Sequence, residues 1–185
     1  MSALITRENV TQIYVATFNR APDAAGLEYW TYQSNLTSLE EIAMSFFDQS
    51  ETQLLYHQGM TTSEKITLAY HNLFNREPDT LGLAYWVEQI ETGVVHQSTM
   101  LLALINGAQS YDARIIENKM TVGIYFADKG LNDTTEAAFV LEDISEIYES
   151  MIASLTYIDN LTPTDTGALL QAALLQSDTN TTLGV

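Results

Sequence analysis

The chain has 185 residues, 46% of them hydrophobic, enough to bury the core of one ordinary domain or two small ones. Seven Lys and Arg stand against 24 Asp and Glu, a formal net charge of −17. With no basic stripe to offset it, that field repels phosphate backbones and speaks against nucleic-acid binding. The absence of cysteine excludes disulfides, thiolate zinc sites and a cysteine nucleophile, and no apolar run reaches the roughly 18 residues of a membrane span.

From the amino terminus, Met1–Glu8 has no basic segment followed by an apolar run. Export would therefore use a route without a cleaved amino-terminal signal. Val10–Trp30 then recurs as Ile66–Trp86, with Tyr14/Tyr70, Phe18/Phe74, Asn19/Asn75, Arg20/Arg76, Pro22/Pro78, Asp23/Asp79, Gly26/Gly82 and Trp30/Trp86 in register. The match resumes at Ala43/Ala103 and Ser50/Ser110, after a short insertion around Glu91-Thr92-Gly93 in the second copy.

Each copy reads as three helices. Val10, Ile13, Tyr14, Thr17 and Phe18 fall on one face of a 3.6-residue period, as do Ile66, Ala69, Tyr70, Leu73 and Phe74. Pro22 and Pro78 stop that helix, and Asp23 and Asp79 suit the N-cap of the next. Gly26 and Gly82, costly inside a helix, imply a close approach by a neighbouring helix. Thr37-Ser38-Leu39-Glu40 opens the third helix, with similar starts at Ser50 and at Thr61 with Glu64.

Beyond about Tyr111 a helix is expected to reach Ala127 or Asp128 and stop at Gly130. Asp133 with Glu136 opens a longer one through Tyr148 to about Leu155, and Thr162-Pro163 opens a last one to about Gln176. The expected fold class is all-α: a multi-helix bundle of two tandem copies of a three-helix repeat plus C-terminal helices. The expected boundaries are 1–60 and 61–112 for the copies, 113–176 for a C-terminal helical region packed on them, and 177–185 for a linker or truncation tail.

Tyr14, Phe18, Trp30 and their copies have the spacing of core aromatics, although exposed aromatic faces would also stack on sugars. In the Asn-Arg-x-Pro-Asp turns, Arg20 and Arg76 are expected to pair with a carboxylate or cap helix carbonyls. Tyr14, Arg20, Asp23, Trp30, Tyr70, Arg76, Asp79 and Trp86 therefore read as structural positions of the repeat. Glu142, Asp143, Glu146 and Glu149 crowd one side of the long helix, either as a solvated acidic face or as a weak Ca²⁺ site. His57, His71 and His96 have no metal spacing, and no nucleophile elbow, phosphate loop or dinucleotide fingerprint appears, so no enzymatic activity is expected.

The string Tyr-x3-Phe-Asn-Arg-x-Pro-Asp-x2-Gly-Leu-x-Tyr-Trp, followed by an apolar helix and Ser50-Glu51, resembles a bacterial domain of unknown function found in RTX-type secreted proteins and surface-layer proteins. Its Arg-x-Pro-Asp and Gly-Leu-x-Tyr-Trp core also looks distantly like the helical linker domains of phycobilisomes. The stretch from Glu117-Asn118-Lys119 to Tyr125-Phe126-Ala127-Asp128 is similar to the amino-terminal region of Gram-negative S-layer proteins. That resemblance implies an extracellular anchor that holds lipopolysaccharide, self-associates in a lattice through downstream domains, and leaves the cell by type I secretion.

At −17 such an anchor cannot adhere by charge attraction, and would use neutral sugars of the O-polysaccharide or bridging Ca²⁺. Candidate glycan contacts lie where the copies differ, at Tyr56, His57, His96 and Gln97; Glu142, Asp143 and Glu146 are the candidate Ca²⁺ ligands. The alternatives are a protein–protein or accessory module of a secreted RTX-type adhesin, toxin or protease.

Overall fold

The computed structural model describes residues 6–33 and 37–162. Among them are ten α-helices, one 3-10 turn and no strand, so the protein is all-α as its sequence predicts. The expected last helix and polar tail lie outside the described residues.

The first copy runs through α1 (Arg7–Phe18), α2 (Ala24–Gln33), α3 (Leu39–Phe47) and the short α4 (Ser50–Leu55). Thr6 and Asn9 form a reciprocal capping box at the start of α1, and Ser38 with Glu41 does the same for α3. Asn19 ends α1 in the left-handed conformation at φ 49°, which a small amide side chain tolerates. The second copy follows as α5 (Thr62–Phe74), α6 (Thr80–Glu91), a 3-10 turn (Gln97–Thr99) and α7 (Met100–Gly107). Thr61 and Glu64 box α5, Asn75 ends it at φ 52°, and Asp79 Oδ1 accepts from the Leu81 and Gly82 amides. Of the N-caps, Asp23, Thr61, Asp79 and Asp133 stand where the sequence places them; the box at α3 falls one residue later, on Ser38 with Glu41, and Ser50 is the first residue of α4 rather than its cap.

The close approach expected at Gly26 exists, but a tyrosine hydroxyl makes it. A Cβ at Gly26 would strike Tyr14 Oη, whereas one at Gly82 would lie 3.4 Å from Tyr70 Oη and press only on the Asp79 carboxylate at 3.2 Å. Burial raises both phenols above their usual range. The repeat aromatics are core, as their period implied. Tyr14 and Phe46 meet edge to face at 5.0 Å, with Phe18 and Trp30 packed on the same cluster, while Tyr70 and Phe74 join Leu73, Leu101 and Leu104 in a second.

A 19-residue helix, α8 (Ser110–Asp128), binds these parts together. It packs on α1, α2 and α5, and a Cβ at Gly123 would sit 2.9 Å from Thr11 Cγ2 and 3.3 Å from Pro22 Cδ. It ends as expected before Gly130, which has φ 70°. The rest of the chain corrects the sequence reading. Instead of one helix from Asp133 to Leu155 there are two, α9 (Thr134–Glu142) and α10 (Tyr148–Ile158).

The break has no Gly or Pro behind it. Asn75 Nδ2 donates to Glu142 O at 3.0 Å and Ile144 O at 2.8 Å, and Asn118 Nδ2 to Ser145 O at 2.7 Å. These amides satisfy the carbonyls that a continuous helix would have used. Ile144 drops into a third core cluster with Val122, Phe126, Val140 and Leu141.

Candidate functional site

Duplication gives the molecule two related clefts, each at the turn that follows the first helix of a copy. In the first, Arg20 reaches from the αL turn to Glu51 at the start of α4, with Nε–Oε1 and Nη2–Oε2 both 3.1 Å. In the second, Arg76 reaches Asp112 in the first turn of α8, with Nε–Oδ1 2.9 Å and Nη2–Oδ2 2.6 Å. Both arginines also donate through Nη1 to the next residue's carbonyl, Ala21 or Glu77, and both lie over the aromatic pair of their copy. The carboxylate partner expected for each arginine is present, in forked geometry.

The two brackets differ in depth and in charge balance. The Arg20 side chain is 13% exposed; burial works to lower its pKa, and Glu51 overrides that to raise it. The cleft over it measures about 180 Å³ and is lined by Phe18, Trp30, Phe46 and Gln49. The Arg76 side chain is 41% exposed, with the Asp112 hydrogen bonds foremost in raising it. Its cleft opens to about 550 Å³, because the α9–α10 break supplies a far wall of Ile144, Ser145 and Glu146. Ser110 and Tyr111 line the mouth.

Behind that wall lies a group the sequence reading passed over. Lys119 is fully buried, its Nζ 2.6 Å from Asn72 O at the end of α5 and 2.6 Å from Asn75 Oδ1. Burial alone lowers its pKa to about 7. By engaging Oδ1 it turns the Asn75 amide nitrogen toward Glu142 O and Ile144 O, so the cleft wall hangs from this pair. A lone Lys in a helix reads as surface; only its position on the face shared with Ile115, Ile116 and Val122 hinted otherwise.

The candidate glycan residues are not brought together there. Tyr56 is corrected outright: it is 5% exposed, its hydroxyl donates to Ala16 O at 3.3 Å and accepts from Asn72 Nδ2 at 3.2 Å, and its ring packs on Phe47. It ends α4 and is held by the core rather than belonging to a loop. His57 is exposed, with Nδ1 accepting from the Gly59 amide at 3.2 Å. His96 caps the 3-10 turn through Ser98, with Gln97 exposed beside it. His71, on α5, is exposed and lies 2.8 Å from Glu77.

The candidate Ca²⁺ set is corrected too. Glu142 ends α9, Asp143 caps it, Glu146 lies in the break and Glu149 is on α10, so no common helix face exists. Among the described residues no three His, Asp or Glu converge as a metal site needs. Of the four, Glu146 alone lines the open cleft. Among the described residues no helix is long and apolar enough to cross a membrane.

Residues 43–111, a little over a third of the chain, match the family model described as a domain of unknown function (DUF4214). The matched stretch starts within α3, takes in the whole second copy and ends at Tyr111, on the mouth of the open cleft. The comparison with curated proteins and that with solved structures each give no match.

Proposed function

We propose that the chain is a non-enzymatic anchoring module of a secreted bacterial surface-layer protein, and that it holds outer-membrane lipopolysaccharide through uncharged sugars of the O-polysaccharide. The observation that carries this reading is the open second-copy cleft. It offers a neutralised Arg–Asp pair, hydroxyl groups and an exposed aromatic ring on a chain whose charge of −17 repels polyanions. The resemblance of the repeat to domains in surface-layer and RTX-type proteins supports the setting. On this reading the chain works outside the cell, as part of a lattice built by other domains.

The split of Glu142, Asp143 and Glu146 takes away the basis for a calcium bridge at those residues. Retention on purified lipopolysaccharide is therefore expected both with and without a chelator, and with little change as salt is raised. A chain that is not retained under any of these conditions refutes the reading.

A scaffolding role in a secreted adhesin, toxin or protease has one observation in its favour. None of the residues of α6 is buried, and Leu81 on it is 82% exposed with Tyr85 alongside. Retention by other proteins of the surface layer, together with none by lipopolysaccharide, is the result that selects it.

A further inference from the structure

The two copies can be compared residue by residue at the clefts, and among the positions where they part, Phe46/Asn106, Glu51/Tyr111 and Thr52/Asp112, the last two exchange the bracket. Gln49-Ser50-Glu51 aligns with Gln109-Ser110-Tyr111. Where the first copy places the carboxylate that brackets Arg20, the second places a tyrosine, and the bracketing task moves one residue along to Asp112. The side chain so released is 62% exposed at the mouth of the cleft.

Two further features set this position apart from an incidental surface tyrosine. Ser110 adopts φ 51°, a left-handed conformation that costs a non-glycine residue energy, and among the described residues Ser50 has no such angle. The Arg114 guanidinium lies over the Tyr111 ring, 5.1 Å from its centroid. The ring is thus braced by a cation while it remains largely exposed and lines the cleft.

Resting on the anchoring reading above, we propose that Tyr111 is the stacking platform of the glycan site and that the ring it takes is a neutral pyranose. The apolar C–H face of a pyranose lies flat on such a platform, while its hydroxyls meet the groups around it. Of the five guanidinium N–H groups of Arg76, three serve Asp112 and Glu77 O, and two remain to donate. Asp112 and Ser110 supply acceptors. Arg76 and Arg114 balance Asp112 and Glu146, so the site itself carries no net charge, and it is the field of the whole chain at −17 that disfavours sugars carrying carboxylate or phosphate. The first-copy cleft, smaller, set over a buried arginine and lacking the tyrosine, is expected to take no such ring.

The test measures affinity of the full chain for purified lipopolysaccharide, with competition by mannotetraose and triacetylchitotriose as neutral probes and trigalacturonate as the acidic one. Tyr111→Ala is expected to weaken binding about tenfold, the loss of one aromatic contact, and Tyr111→Phe to stay within about threefold. Tyr85→Ala, which removes an equally exposed ring from α6, is expected to change nothing. A neutral probe should compete and trigalacturonate should not.

Lipopolysaccharide binding that Tyr111→Ala leaves untouched overturns this site while the anchoring reading stands. Preferential competition by trigalacturonate overturns the ligand class. A wild-type chain that binds neither lipopolysaccharide nor any probe overturns both.

Discussion

Lys119→Met exchanges a buried amine for an apolar side chain of similar length, and its consequence can be worked from the two bonds the amine makes. A neutral amine has two N–H donors, and two acceptors wait for them, Asn72 O and Asn75 Oδ1. Burial lowers the group from 10.5 to about 7, so the unfolded chain holds the proton more tightly than the folded one. The sign follows from that order. The contribution to stability is fully present above 10.5 and is lost as pH falls through about 7.

At about 1.4 kcal/mol per factor of ten, the whole span is on the order of 5 kcal/mol, and the part between about pH 7 and pH 9.5 is on the order of 3 kcal/mol. The window stops there because Tyr14 and Tyr56, raised by burial, begin to act in the opposite sense when unfolded phenols ionise. Urea denaturation across that window is expected to show wild-type stability rising with pH and Lys119→Met flat. At the alkaline end the variant should be weaker by about 2–5 kcal/mol, since both acceptors lose their donor. Wild-type stability that is level or falling over this range, or an equal slope in the variant, refutes the reasoning.

Gly26 and Gly82 are equivalent in sequence but not in space. Gly26→Ala is expected to cost about 1–3 kcal/mol, because the methyl group meets the Tyr14 hydroxyl, while Gly82→Ala, where the Asp79 carboxylate at 3.2 Å must give way against the gain in helix propensity, should stay within about 1 kcal/mol of wild type; thermal melts of the two variants compare them directly. Asn75→Gly keeps the left-handed turn but removes the amide that holds Glu142 O, Ile144 O and Lys119, so a loss of about 2–4 kcal/mol is expected by urea denaturation, with increased hydrogen exchange at the start of α10. A loss below about 1 kcal/mol, or unchanged exchange, counts against Asn75 as the anchor of the break.

What could be read from the sequence divides by range. Thr61 with Glu64 and Asp79 act within one turn of themselves and sit where the sequence puts them, while the box at α3 is Ser38 with Glu41, one residue on from the Thr37–Glu40 spacing. The core role of Tyr14 and Tyr70 followed from helical period, and the expectation that Arg20 and Arg76 pair with a carboxylate or cap carbonyls followed from the capping pattern of the Asn-Arg-x-Pro-Asp turn.

The interruption at Asp143–Ile147 was illegible because its cause sits far away in sequence, in the amides of Asn75 and Asn118. Tyr56 looked like a loop residue because its partners, Ala16 O and Asn72, belong to other helices. For the cleft, the useful signal was present and unused. The one-residue shift from Glu51 to Asp112 is visible on aligning the copies, but it acquires meaning only when each carboxylate is seen holding the equivalent arginine of its own copy.

The ties along α8 have a mechanical side. Asp112 grips the second-copy turn, Lys119 the end of α5, Gly123 the backbone beside Pro22, and Asp128 pairs with Arg7 at 2.5 Å. These attachments are spread over a rod about 28 Å long, taking 19 residues at about 1.5 Å each. Its amino-terminal half holds the second copy and its carboxy-terminal half the first, so one rigid element spans both beside the direct packing of α1 on α5 and α7. The helix is a tie-rod between the duplicated halves, and its second-copy end is the rim of the open cleft.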